Sequence, residues 1–180
     1  MSKAVITFGR FNPPTIGHEK LVNKVRKVAR LTKGQPLIFL SHSQDENKNP
    51  LDYNTKVRIA KNSFGNIVQR SNSNTIIKVM QELEKKYKEV VLVVGSDRVK
   101  EFDTLLQKYN GKDYTFDNIK IVSAGQRDPD ADGVEGMSAS KMRELAKDED
   151  LAQFTKGLPL KVQRQAKNIM NSVRKGMKLW

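Results

Sequence analysis

Ten residues near the start of the chain, Gly9-Arg10-Phe11-Asn12-Pro13-Pro14-Thr15-Ile16-Gly17-His18, leave a short apolar run and lead into a helical stripe. Open α/β sheets bind ligands beyond the carboxyl ends of their strands, and a helix N-terminus there offers unpaired N–H groups to a phosphate. Gly9 permits close approach of backbone to ligand, and Pro13 and Pro14 stiffen the turn. Thr15 and His18, three apart at the start of a helix, share one face and can point at the same anion. A second group comes late, in Met137-Ser138-Ala139-Ser140-Lys141-Met142-Arg143. Ser138 and Ser140 suit the cap of a helix whose N-terminus faces polyphosphate, and Lys141 and Arg143 supply charge. Between these groups lies Val93-Val94-Gly95-Ser96-Asp97-Arg98. There Gly95 lets the backbone approach a ligand, and Asp97 is either an acceptor for a ribose hydroxyl or a helix cap. Lys48, in Lys48-Asn49-Pro50-Leu51-Asp52-Tyr53-Asn54-Thr55-Lys56, is the candidate to meet an incoming phosphate, whereas His42 reads as structural.

These groups need a frame, and the apolar pattern supplies one. Short β-branched runs at residues 4–8, 36–41, 66–68, 89–94 and 118–123 are each brief enough to be a buried strand. Helical stripes lie between them. One is Leu21, Val22, Val25, Val28 and Ala29; a weaker one is Val57, Ala60 and Phe64. Two more are Ile76, Val79, Met80, Leu83 and Tyr87, then Val99, Phe102, Leu105, Leu106 and Tyr109. Strands apolar on both faces, alternating with helices, predict a Rossmann-like open parallel five-stranded α/β sheet with helices on both faces. From about Ser138 the pattern is helical. The expectation is one domain over 1–180, an α/β core to 136 and a helical part over 137–180. The connecting loop opens like a calcium site at 128–133, but its twelfth position is Ala139 and no helix precedes it. A mobile flap carrying Arg127 is the better reading of 124–136.

Composition narrows the classes further. The chain has 180 residues and no cysteine, which excludes a disulfide scaffold, a thiolate nucleophile and thiolate metal sites. The absence of cysteine fits a reducing, cytoplasmic compartment. No run approaches the roughly 18 apolar residues of a spanning helix, and none reads as a signal peptide. The net charge of +13 favours polyanionic partners. Residues 151–180 hold seven Lys or Arg and no acid. Their apolar stripe of Val162, Ala166, Ile169, Met170, Val173 and Met177 predicts a docked amphipathic helix with a solvated basic face. Nucleic-acid binding by that face is the rival reading.

Thr15-Ile16-Gly17-His18 resembles the (H/T)xGH signature of the nucleotidylyltransferase superfamily. The ten-residue string around it resembles the opening of the nicotinamide-mononucleotide adenylyltransferases, including the compact versions found in bacteriophage genomes. The late segment is similar to that family's ISSTxxR motif, Gly95-Ser96-Asp97 to its GxD element, and residues 48–56 to its NP(F/L)xxxxR segment. Lys56 there replaces arginine, keeping the charge and losing the bidentate fork. The late segment also resembles the KMSKS loop of class I aminoacyl-tRNA synthetases. Gly136 stands where that loop has its first lysine, and 180 residues leave little room for an anticodon-binding domain.

The resemblance implies transfer of AMP from ATP to nicotinamide mononucleotide, with Mg carried by the phosphates. His18 and Thr15 would stabilise developing charge. Ser138, Ser140 and Arg143, beside Lys141, would hold the β and γ phosphates. Gly9, Arg10, Phe11 and Gly17 would line the cradle, and Lys48, Lys56, Gly95 and Asp97 would meet the substrate. A cytidylyltransferase acting on a polyol or lipid-precursor phosphate, and a non-catalytic nucleic-acid-binding protein on the same fold, are the alternatives.

Overall fold

A computed structural model of the chain describes residues 2–125 and 137–179. In chain order the elements are β1 (Lys3–Gly9), α1 (Ile16–Thr32), β2 (Gln35–Leu40), α2 (Tyr53–Phe64), α3 (Ile76–Leu83) and β3 (Glu89–Val94). They continue with α4 (Val99–Tyr109), β4 (Asn118–Ser123), α5 (Ala139–Lys147), α6 (Leu151–Gly157) and α7 (Ala166–Gly176). Short 3-10 turns occupy Ser96–Arg98 and Leu160–Gln165. The flap residue Arg127 and the acidic loop at 128–133 lie outside the described residues.

The described sheet has four strands in the order β2-β1-β3-β4. β3 runs parallel to both neighbours, with Lys3 opposite Glu89 and Glu89 opposite Asn118. This corrects the expected count of five. The run at 66–68 follows Gly65, which caps α2 at a positive φ of 86°, so the chain is still turning there. Val68 donates back to the Gly65 carbonyl at 3.3 Å and holds a single bridge position, and the next residue, Gln69, donates to Ile38 of β2 at 2.8 Å. Three residues spent largely on closing a turn cannot sustain a ladder.

The described chain packs as two compact units. One is built from the segment up to Phe8, from Lys20–Phe39 and from Gln69 onward, and it holds the sheet. On one face Ile6, Phe39 and Leu92 pack with Val79, Met80 and Leu83 of α3 and Leu106 of α4. Val5, Ile38, Val91 and Val93, of the opposite parity, are buried as well. Burial of both faces is why the parallel strands read as continuous apolar runs. Thr7 is the polar exception, and its hydroxyl donates to the Val93 carbonyl at 2.7 Å.

The other unit is built from Gly9–Glu19, Leu40–Val68 and the C-terminal helices. Leu51 and Ile59 share a core with Met142, Phe154, Leu158, Val162, Met170 and Val173. The starts of α2 and α6 have a reason in the sequence. The Asp52 carboxylate accepts from Thr55 N–H at 2.7 Å, and that of Asp150 from Gln153 N–H at 3.2 Å. Arg174 donates to the Ala146 and Lys147 carbonyls, at 2.8 Å each, at the end of α5 where the helix dipole favours a cation.

Candidate active site

The loop from Gly9 to His18 is fixed by polar contacts as much as by its prolines. The Gly9 carbonyl accepts from Ser41 N–H at 2.9 Å. Asn12, fully buried, grips Leu51 in both directions: its Nδ2 donates to the Leu51 carbonyl at 3.1 Å, and its Oδ1 accepts from Leu51 N–H at 2.9 Å. The Asn12–Pro13 peptide bond is cis. Phe11 has a φ of 47°, a left-handed conformation that an L side chain adopts at a cost of about 1–2 kcal/mol. Its ring is buried, stacked on His18 at 4.2 Å between centroids and edge-on to Phe64 at 6.1 Å.

Thr15 is the N-cap of α1. Its hydroxyl accepts from Gly17 N–H at 3.1 Å and His18 N–H at 3.3 Å, and donates to the Met137 carbonyl at 3.0 Å. The side chain is 1% exposed, so the hydroxyl is spent on capping and on tethering the segment before α5. Thr15 N–H donates to His18 Nδ1 at 3.0 Å. An accepting Nδ1 carries no proton, so the neutral ring carries its proton on Nε2 and donates from there. Gly17 has no room for a side chain: a Cβ would stand 2.9 Å from the Met137 carbonyl oxygen.

The serine-rich segment caps a helix as its composition implies. Ser138 Oγ accepts from Lys141 N–H at 3.1 Å, while Ser140 is exposed in the first turn and Lys141 is half-buried. Arg143, half-buried, reaches back to donate from Nη1 to the Asn12 carbonyl at 3.0 Å. Its pKa is pushed down, first by burial and then by the charge of Arg10, with Asp45 acting the other way.

Lys56 is the larger surprise. It is fully buried, with Nζ donating to the Ser41 carbonyl at 2.7 Å and standing 3.4 Å from Ser41 Oγ. Burial, then the Arg10 charge, push its pKa down to about 8. Arg10 is itself exposed. Arg10 thus lies within electrostatic reach of both Lys56 and Arg143. Like charges so arranged favour an anion between them.

Lys48 is exposed on a small loop organised by Asp45. Asp45 Oδ1 accepts from Asn47 N–H at 2.9 Å and Lys48 N–H at 2.7 Å, and Oδ2 accepts from Asn49 Nδ2 at 2.8 Å. These bonds, the one from Asn49 foremost, hold the Asp45 carboxyl down at about 2. His42 stacks on Tyr53 at 3.8 Å. Gly95 and Asp97 belong to the sheet-bearing unit, on the turn after β3. There the Gly95 carbonyl accepts from Arg98 N–H at 2.9 Å, Asp97 is exposed, and the cap is Gly95 rather than Asp97.

Thus Gly9, Arg10, Phe11, Thr15, Gly17, His18, Lys48, Lys56, Ser138, Ser140, Lys141 and Arg143 share one unit, and Gly95 and Asp97 the other. Sequence reasoning passed over Asn12, Asp45 and the ring of Phe11. Asn-Pro signals a turn and could have flagged Asn12; nothing local announces Asp45.

The cytidylyltransferase-like family matches residues 6–145. No curated protein matches the chain in sequence. Among solved structures, a Vibrio parahaemolyticus protein assigned as a nicotinate-nucleotide adenylyltransferase superposes with a TM-score of 0.56 at 16% identity, over 92% of this chain and 99% of that one. Plasmodium falciparum nicotinic acid mononucleotide adenylyltransferase complexed with NaAD gives 0.55 at 15% identity, over 95% and 98%. Thermotoga maritima TmcAL bound with alpha-thio ATP gives 0.52 at 10% identity, over 94% of this chain and 56% of its own. Such likeness shows the α/β fold.

Proposed function

Because this chain belongs to the cytidylyltransferase-like family, we propose that it is a cytoplasmic adenylyltransferase that moves AMP from ATP onto nicotinamide mononucleotide, making NAD and releasing pyrophosphate. The observation that carries the reading is the placing of Arg10 within electrostatic reach of both Lys56 and Arg143, on the loop whose histidine accepts at Nδ1 from Thr15 N–H at a helix start. Two structural neighbours are named as adenylyltransferases of nicotinate or nicotinic acid mononucleotide, which favours adenylyl transfer to a mononucleotide of this kind but does not choose nicotinamide over nicotinate.

In this reading an oxygen of the acceptor phosphate attacks the α-phosphorus of ATP in line. The new O–P bond forms as the bond from the α-phosphorus to the bridging oxygen breaks, and that oxygen leaves with its electron pair on pyrophosphate. No covalent enzyme intermediate is involved, so the protein's part is positioning and charge neutralisation. His18 Nε2–H donates to the phosphoryl oxygens as charge builds on them. Thr15 acts through His18 and the helix cap, as a positioning residue. Arg143, Ser140 and Lys141 hold the β and γ phosphates; Arg10 and the Gly9–Phe11 backbone line the cradle. Lys48 meets the acceptor phosphate, and buried Lys56 braces Ser41 and through it Gly9.

Among the described residues no group of three or more His, Cys, Asp or Glu side chains is placed to hold a metal. Both Asp45 oxygens are already engaged. The donors gathered here suit phosphate oxygens, so Mg would be held by the triphosphate and water, and when bound it supplies charge neutralisation.

The family match favours one second reading, cytidylyl transfer from CTP to a polyol or lipid-precursor phosphate. Nucleic-acid binding through the C-terminal helix is less well supported, since Arg174 and Lys178 there are engaged with backbone carbonyls and with Glu46. The test offers ATP or CTP with Mg against nicotinamide mononucleotide, nicotinic acid mononucleotide and glycerol 3-phosphate, following pyrophosphate and product. NAD formed from ATP supports the proposal; turnover of CTP with glycerol 3-phosphate replaces it with the second reading.

A further inference from the structure

A formal charge of +13 needs a location, and the acid-free C-terminal run carries about half of it, spread over thirty residues. Arg174 closes the end of α5, and Lys178 pairs with Glu46 at 2.9 Å. The denser concentration is on α1 and the turn after it. Lys20, Lys24, Arg26, Lys27, Arg30 and Lys33 fall within fourteen residues, and no acid occurs from Lys20 to Gln44.

The helix sorts these cations onto one side. At about 100° per residue, the buried Val22, Val25 and Ala29 mark the inner face. Lys20, Lys24 and Lys27 project from the side directly opposite, with Arg26 and Arg30 along one flank. Lys20, Arg26, Lys27, Arg30 and Lys33 are exposed and Lys24 half-buried. A solvated helix ordinarily interleaves acids three or four residues from its bases. Here those positions repeat the same sign, Lys20 with Lys24, Lys24 with Lys27, Lys27 with Arg30, and Arg26 with Arg30. Each like-charged pair weakens an isolated helix.

We infer that the outer face of α1 is a docking surface for the phosphate backbone of nucleic acid. At about 1.5 Å rise per residue, the cations from Lys20 to Lys33 extend over roughly 20 Å, far more than one nucleotide's phosphates occupy. A polymer bearing a charge every few ångströms meets such a row in full. A membrane surface fits less well, because an interfacial helix needs an apolar face to bury. Leu31 is the single large apolar side chain fully out on this helix, at 71% exposure, and α1 has no tryptophan, tyrosine or phenylalanine. The surface is independent of the nucleotidyl-transfer reading, since none of these cations has a part in that site.

The test measures fluorescence anisotropy of a labelled mixed-sequence duplex and of single-stranded RNA across a salt series. Wild type is compared with a Lys24→Gln, Lys27→Gln, Arg30→Gln variant whose melting temperature confirms that it is folded. Wild-type binding should weaken steeply with salt. Loss of three phosphate contacts should flatten the log–log slope on duplex by about 2.7 and lower low-salt affinity at least about tenfold. A Lys161→Gln, Arg164→Gln, Lys167→Gln variant should keep the wild-type slope. Absence of binding, an unchanged slope in the α1 variant, or loss of slope in the C-terminal variant would each overturn the inference. So would tighter, α1-dependent binding to phosphatidylserine vesicles or to polyglutamate than to either nucleic acid.

Discussion

His18 has its orientation fixed three times over: by Phe11 stacked on its ring, by Thr15 N–H on Nδ1, and by its place in the first turn of α1. If it stabilises transition-state charge from Nε2, His18→Ala should lower kcat roughly 100- to 1000-fold with little change in KM. Steady-state kinetics against both substrates checks this, and a preserved kcat excludes the role. Lys56 makes a different prediction. Its pKa is about 8 in the fold against 10.5 for an ordinary lysine. Between those values the unfolded chain holds a proton that the native chain has released, so this group makes stability rise with pH across that window. The rise is at most about 1.4 kcal/mol per pH unit. Below pH 8 both forms are protonated and the burial penalty stands in full. Urea midpoints should therefore rise less from pH 8 to pH 10.5 in Lys56→Met than in wild type. The sequence exposed His18 and Arg143 as residues of interest because their motifs are contiguous. The burial of Lys56 depends on Ser41, fifteen residues away, and the grip of Asn12 on Leu51 spans thirty-nine, separations that no local pattern encodes.

Helices and loops carry the next set of consequences. Ser138 caps α5, as its place before an apolar-periodic stretch foretold, and Ser138→Ala should cost about 1 kcal/mol in thermal or urea unfolding. Since α5 presents Lys141 and Arg143, the same variant should raise the KM for ATP. At the far end of the chain, Gly176 in α7 lies against the Pro50 carbonyl, where a Cβ would collide with backbone. Pro50 precedes Leu51, the partner of Asn12, so the C-terminal helix braces the loop that carries Lys48. Gly176→Val should destabilise by about 1–3 kcal/mol through overpacking and raise KM more than it lowers kcat. Denaturation and kinetics on one preparation separate the two effects. The docked amphipathic helix was readable from Ala166, Ile169, Met170 and Val173, all buried in α7, whereas Val162 lies in the 3-10 turn before it and Met177, just past its end, is partly buried. Its docking partner was not readable, because a glycine in a basic helix gives no sign of what passes beside it. The run at 66–68 failed as a strand for a related reason: composition registers Ile67 and Val68, while the turn closed by Gly65 decides their conformation.

Across the chain, the parallel α/β class followed from strands apolar on both faces, and the described sheet has that character with one strand fewer. The charge was legible as a total and as a C-terminal bias, whereas the concentration on α1 emerges once the helix shows which of its faces is buried. The proposed chemistry unites these features, since a cationic loop at a strand end and a rigid helix start are what moving a nucleotidyl group requires. Its most direct test is the fate of the α-phosphate. ATP labelled there is incubated with protein, Mg and nicotinamide mononucleotide, and label and pyrophosphate are followed together. One label should enter NAD for each pyrophosphate released, with none on the protein. Label appearing as free AMP, remaining on the protein, or staying in ATP while the substrates are saturating would contradict the proposed transfer.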